Sequence, residues 1–336
     1  MHGHSKVAGM HPGRGSWTRR HSRFLPRSGV LGFALALAAP ALAQTPPGPA
    51  DPEGVVVSEL VVRAKAPGPP WWRVSNGAST VDILAVPDGV IPPGVAWDRS
   101  VLERRLSGAN AVIGAPGFQA GLRDIPAILR LRSQLRSKVA METGLPPALA
   151  ARFEADAGRG GKNPDRFDHW QPLAAGAFLL RESHAHWQAV TSQVGGLARR
   201  HGLSLKSSAR YRAMPLVRTA MASMTPASQA QCLGWALDDV EAGEAGARRA
   251  AEGWAQGDVA AALTAPRGFD RCLLILAGGT ELWDRVSQDE ADDIAAALRT
   301  PGHAVAVVGL RRLLAEHGVI ARLEAKGLRV LGPGDV

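Results

Sequence analysis

Two short apolar runs at opposite ends of the chain constrain its fold more than anything else in it. Ser79-Thr80-Val81-Asp82-Ile83-Leu84-Ala85-Val86 and His303-Ala304-Val305-Ala306-Val307-Val308-Gly309 are strand-length, rich in β-branched residues and flanked by turn signals, with Pro301-Gly302 a clean stop before the second. Neither alternates apolar with polar residues, so both faces of each must be covered. The two are therefore expected to meet in one sheet. Further strand-like segments lie near 72–75, 110–114 and 327–331, whereas residues from about 120 to 300 read mainly as helix. Helices are expected over 172–200, 226–242, 245–263, 285–299 and 311–325. The fold class is α+β: a mixed sheet built from N- and C-terminal segments, with a large helical insertion, in a single domain over 71–332.

A leader precedes this domain. Arg19, Arg20, Arg23 and Arg27 stand before an apolar run from Val30 to Ala39, and Ala41-Leu42-Ala43 follows. These are the charged, apolar and small-residue regions of a secretory signal over 1–43, with cleavage after Ala43 and a periplasmic or secreted destination. The run is too short to anchor the chain across a bilayer. Residues 1–9 add nothing that such a signal needs, which leaves Met10 open as the start, and Thr18-Arg19-Arg20 leaves twin-arginine export open. Gln44 to Pro70 is rich in Pro, Gly and Ala and reads as a linker, broken only by a β-prone run, Val55 to Val62, able to pair on a sheet edge. The formal charge of +9 shrinks once the leader's six basic residues are removed, leaving 33 basic against 30 acidic residues. That balance argues against a nucleic-acid footprint, which needs a clustered basic face on the mature domain.

The segments at the two ends also carry motifs. Trp72-Arg73-Val74, Gly77 and the strand that follows, Trp254-Ala255-Gln256-Gly257-Asp258 between two helices, Trp283, and the C-terminal strand ending at Gly309 occur in an order that resembles the TraB/GumN family, which includes the Tiki-type metalloproteases. The resemblance implies a metal-dependent hydrolase site where two strands, each ending in Gly-x-x-His, converge under helices. Here both histidines are missing. Asp88 stands at the first and Ala85 replaces its glycine; Gly309 is kept but Arg312 stands at the second. The acid that usually follows the next short strand falls at Gly114 or Ala115, and the Arg-Asn-x-x-Trp segment keeps only Trp283. A carboxylate can bind a metal, but a guanidinium offers donors only, and its positive charge would repel a divalent ion. The degenerate site is thus Asp88, Gly309, Arg312 and Trp283, with no metal or cofactor expected. The resemblance also suggests that Asp88 and Arg312 come together as an ion pair in place of the metal.

Other clusters point less clearly to chemistry. Asp165, Asp168, His169, Glu182, His184 and His186 are dense in ligand-type side chains, but on a helix His184 and His186 lie about 200° apart and cannot share one ion. Neither a phosphate loop nor a Gly-x-Ser-x-Gly elbow is present. Cys232 and Cys272, the only cysteines, either bridge in an oxidising compartment or stay as buried thiols. Ile125, Ile128, Leu129, Leu131, Leu135 and Val139 recur at near-helical spacing among Arg123, Arg130, Arg132, Arg136 and Lys138, which reads as a solvated face or as a surface for a membrane or partner.

The reading is an exported TraB/GumN-like protein, a pseudoenzyme that binds or scaffolds an unknown protein or peptide partner. Two alternatives stand beside it: a divergent metal-dependent hydrolase using Asp88 and unrecognised ligands, and an accessory factor in envelope or exopolysaccharide assembly. The leader makes the first test simple. Mass spectrometry of protein from its native host is expected to find Gln44 at the N-terminus; a full-length cytoplasmic species alone would refute export.

Overall fold

A two-residue turn, Gly77-Ala78, joins β1 (Trp71–Asn76) to β2 (Ser79–Val86) in antiparallel register, from Asn76 opposite Ser79 to Trp71 opposite Leu84. The computed structural model describes residues 51–64 and 67–335, and the leader read over 1–43 lies outside the described residues. The remaining strands are β3 (Ala111–Gly114), β4 (Gly117–Gln119), β5 (Leu205–Ser207), β6 (Arg210–Arg212), β7 (Gly302–Gly309) and β8 (Arg329–Leu331). Six of them form one mixed sheet in the order β5-β3-β7-β2-β1-β8, and β4 pairs with β6 apart from it. The helices are α1 (Ser100–Leu106), α2 (Ile125–Gln134), α3 (Pro147–Ala157), α4 (Pro172–Ser183), α5 (Val190–Arg200), α6 (Ala213–Ala222), α7 (Pro226–Ala255), α8 (Val259–Ala262), α9 (Gly268–Ile275), α10 (Gly279–Ala297), α11 (Leu310–Leu314) and α12 (Val319–Ala325). The α+β class with a mixed sheet holds.

The two runs that constrain the chain are direct neighbours. β2 and β7 pair in parallel over eight positions, from Ser79 opposite Gly302 to Val86 opposite Gly309. β7 enters between β2 and β3, which also pairs with it in parallel. From Val81 to Val86 every residue of β2 is buried, as is every residue of β7 from Ala304 to Gly309, because the sheet is covered on both faces. Burying Asp82 in β2 requires compensation. Its carboxylate accepts two hydrogen bonds from Arg73, its cross-strand partner, at 2.6 and 3.1 Å, and lies 3.4 Å from Arg105 and 3.1 Å from His303. The Arg of Trp72-Arg73-Val74 is thereby explained, and the flanking Trp72 and Val74 fill the core.

The Trp254-to-Asp258 motif is a structural joint. The Trp254 indole is fully buried and donates to the Ala85 carbonyl at 2.7 Å, locking α7 to β2. Gly257 turns the chain with φ of 75°, a left-handed conformation that favours glycine, and Asp258 caps α8 by accepting from Ala261 N at 2.9 Å.

Over 51–64, the stretch expected to be a linker lies on the domain. Ala64 N donates to Gly257 O at 2.9 Å and Val57 N to Leu314 O at 3.0 Å, and Val56, Leu60 and Val61 pack on the main core. The β-prone run bridges singly to the segment after α11 and joins no sheet edge.

Several helix expectations need correction. The expected helix over 172–200 is two, since Gln188 leaves the axis to exchange backbone hydrogen bonds with Ile91. That over 311–325 is also two, parted before Gly318. The helical middle contains β4, β5 and β6, each three residues long and without the periodicity that a sequence reading needs. α7 is interrupted at Gly243, between the expected helices 226–242 and 245–263, and the second of these is itself two, since α7 ends at Ala255 and α8 begins after the Gly257 turn.

Cys232 in α7 and Cys272 in α9 are disulfide-bonded, with Cα atoms 5.1 Å apart. Closing a loop of this length stabilises the fold by about 4 kcal/mol in the chain-entropy description. The double change Cys232→Ser, Cys272→Ser is expected to lose stability of that order in urea unfolding, and reductant is expected to act on the native protein but not on the variant.

Candidate functional site

The parallel strands β2, β3 and β7 end on one side of the sheet, and a cleft of about 460 Å³ opens there. Asp88, Gly309, Arg312 and Trp283 all line it, as does Ala115 after β3. The four residues expected to form the site therefore face one cavity. Gly309 lets the Asp88 carboxylate approach closely, since a Cβ there would meet one of its oxygens and displace the side chain.

The expected ion pair between Asp88 and Arg312 does not form. Arg312 donates two hydrogen bonds to Glu290 of α10, Nε to Oε2 at 2.8 Å and Nη2 to Oε1 at 3.2 Å. Asp88 instead accepts from the Arg311 backbone N at 3.2 Å. The physical reason is reach and burial: Glu290 is 1% exposed, and a carboxylate so buried needs a bidentate partner more than half-buried Asp88 does. Burial opposes the charge on Arg312, but the Glu290 carboxylate more than compensates and raises its pKa.

Sequence reasoning missed three acids here: Glu290, Glu53 and Asp270. Glu290 had a readable signal, since it falls on the buried stripe of α10 with Trp283, Val286, Ser287 and Ile294, where a lone charge demands a partner. Glu53 had none. The segment before β1 carries it to the cleft wall, where it accepts from the Trp283 indole at 2.8 Å, while Arg267 pairs with Asp51 at 2.8 Å beside it. Burial pushes the Glu53 carboxyl up, and the charge of Asp88 pushes it further.

Asp270, on α9, borders both this cleft and a smaller cavity of about 190 Å³ that also meets Asp88. It is open to solvent through the cleft, yet the walls around it and then the charges of Asp88, Glu53 and Asp239 push its pKa up to about 7. Burial raises Asp88 likewise, against the charge of Arg312 and the Arg311 hydrogen bond.

The other cluster does not converge. Glu182 is held by Arg166 at 2.9 Å and Lys162 at 3.2 Å, which lower its pKa, and His184 stacks on Trp187 with ring centres 3.8 Å apart. No three of His, Cys, Asp and Glu come together as a metal site among the described residues. The cleft is lined by the carboxylates of Glu53, Asp88 and Asp270 and by the guanidinium of Arg312, while Ala115 brings no polar side chain to it.

A mixed sheet built from segments near both ends of the described chain, with α9 and α10 beside the carboxyl ends of its parallel strands, defines an α+β protein with a cleft at those strand ends. The family model described as TraB/PrgY/gumN matches residues 70–331, and the chain belongs to that family. No curated protein and no solved structure matches it.

The acid with a pKa of about 7 has a consequence for stability. A carboxyl whose pKa is higher folded than unfolded binds more protons in the folded state, so its contribution falls as pH rises from about 4 through about 7. Asp270→Asn is expected to unfold at a higher temperature than wild type at pH 8 and to lose that advantage below pH 4, as calorimetry at the two pH values will show.

Proposed function

We propose that the protein is an exported member of its family that has lost the metal-dependent hydrolase site and keeps the cleft for binding or scaffolding. One observation carries this reading: Arg312, at the second family histidine, is committed to Glu290. The pair is neutral as a whole, so it disfavours a metal less by repulsion than because the guanidinium has no lone pair and occupies the Glu290 carboxylate. Export is supported by the leader and by a disulfide, which an oxidising compartment preserves.

The cleft's lining favours a protein or peptide partner. Leu273, Leu274, Leu282 and Trp283 offer an apolar wall, while Glu53, Asp88 and Asp270 favour a basic group at its polar end. A second reading, the divergent hydrolase, draws on Asp270 and Asp88 facing the same cleft, since a carboxyl titrating near neutrality suits general acid–base work.

Elemental analysis after reconstitution with zinc, manganese or cobalt separates the two. Wild type is expected to retain no stoichiometric metal and to hydrolyse no peptide. The double change Asp88→His, Arg312→His frees Glu290 as a third donor and is expected to gain metal affinity. Tight wild-type binding that disappears in Asp88→Ala would overturn the pseudoenzyme reading and favour the hydrolase.

A further inference from the structure

α2 departs from the way the rest of the surface is built. It buries none of its residues. With the turn before it, it exposes Leu122, Ile125, Ile128 and Leu129 by 86%, 47%, 41% and 61%, and their spacing of three and four residues sets them on one stripe. Exposed leucines and isoleucines scattered singly mean nothing, but four on one stripe mark a contact surface.

The charges beside the stripe are all of one sign. Arg123, Arg130 and Arg132 form no ion pair among the described residues, and no acid occurs from Ile125 to Val139. The nearest acid, Asp124, is drawn to Arg212 at 3.7 Å.

A basic flank without acids attracts an anionic counterpart, and the apolar stripe is stabilised by an apolar phase next to it. Nucleic acid supplies only the first. A protein would need a groove shaped to a helix that stands out from the surface, whereas the boundary between lipid headgroups and acyl chains yields to such a ridge and offers both chemistries. We propose that α2 is an interfacial helix that seats this protein on an anionic phospholipid bilayer, apolar stripe inward and arginines among the headgroups. No helix among the described residues is long and apolar enough to cross a membrane, so the contact is peripheral.

Co-sedimentation with vesicles tests this on the whole purified protein. It is expected to bind vesicles of equal parts phosphatidylglycerol and phosphatidylcholine, to release them as salt is raised, and to leave phosphatidylcholine vesicles unbound. Arg130→Ala with Arg132→Ala is expected to weaken binding about thirtyfold, and Leu122→Ser with Leu129→Ser at least tenfold. Arg152→Ala, away from α2, is expected to change nothing. The side chains are exposed, so both pairs of changes should leave the melting curve in place. Absence of vesicle binding, equal binding to both vesicle types, or insensitivity to both pairs of changes would overturn the proposal. So would an oligomer that the leucine changes dissolve, which would assign the face to a second copy of the chain.

Discussion

The parallel pairing of β2 with β7 is the constraint on which the rest depends. Its eight-position register joins Ser79 to Gly302 at one end and Val86 to Gly309 at the other, across nearly the whole domain. β7 also lies between β2 and β3, so the centre of the sheet is incomplete until the C-terminal segment arrives. A contact so distant in sequence is reached late and slowly, because loop closure must be accomplished before it yields any burial. The helical middle is compatible with that order. One satellite core joins Phe153, Phe167, Leu179, Leu233 and Leu237, and in a second cluster beside Leu173 and Leu276 the disulfide ties α7 to α9.

Strand pairing also sets the chemistry. Because Val86 and Gly309 end the ladder side by side, the residues that follow, Asp88 and Arg312, face the same cleft. What they do there depends on α10. Glu290 takes both guanidinium donors, and Trp283, seven residues earlier on the same face, holds Glu53. One helix thereby organises the polar floor of the cleft. A partner-stripped Glu290 would be a buried, uncompensated charge, a defect that costs about 3–5 kcal/mol when one member of such a pair is removed. Replacing Arg312 alone is therefore costly to the fold, whatever the cleft binds.

The segment before β1 contributes more than its composition suggests. Asp51 and Glu53 bind Arg267 and Trp283, so residues outside the sheet complete the cleft wall. The same segment meets the Gly257 turn, where a Cβ would lie 2.5 Å from that of Ala64. The glycine of the Trp254-to-Asp258 joint therefore serves both the turn and the segment that crosses it.

Much of this was legible in the amino-acid sequence. The two Val-rich runs announced a sheet shared by the ends of the chain, since strands apolar on both faces have to be covered and paired. The order of Trp72-Arg73-Val74, Gly257-Asp258, Trp283 and Gly309 marked the family. Element boundaries within the helical middle were less legible, because three-residue strands such as Leu205–Ser207 carry no period and the break between α4 and α5 holds Gln188 against Ile91, distant in sequence. The partner of Arg312 was decided only by tertiary structure. Sequence can place a charge at a strand end, but whether Asp88 or Glu290 neutralises it depends on which carboxylate the packing of α10 buries more deeply, and that burial exists only once the chain has folded.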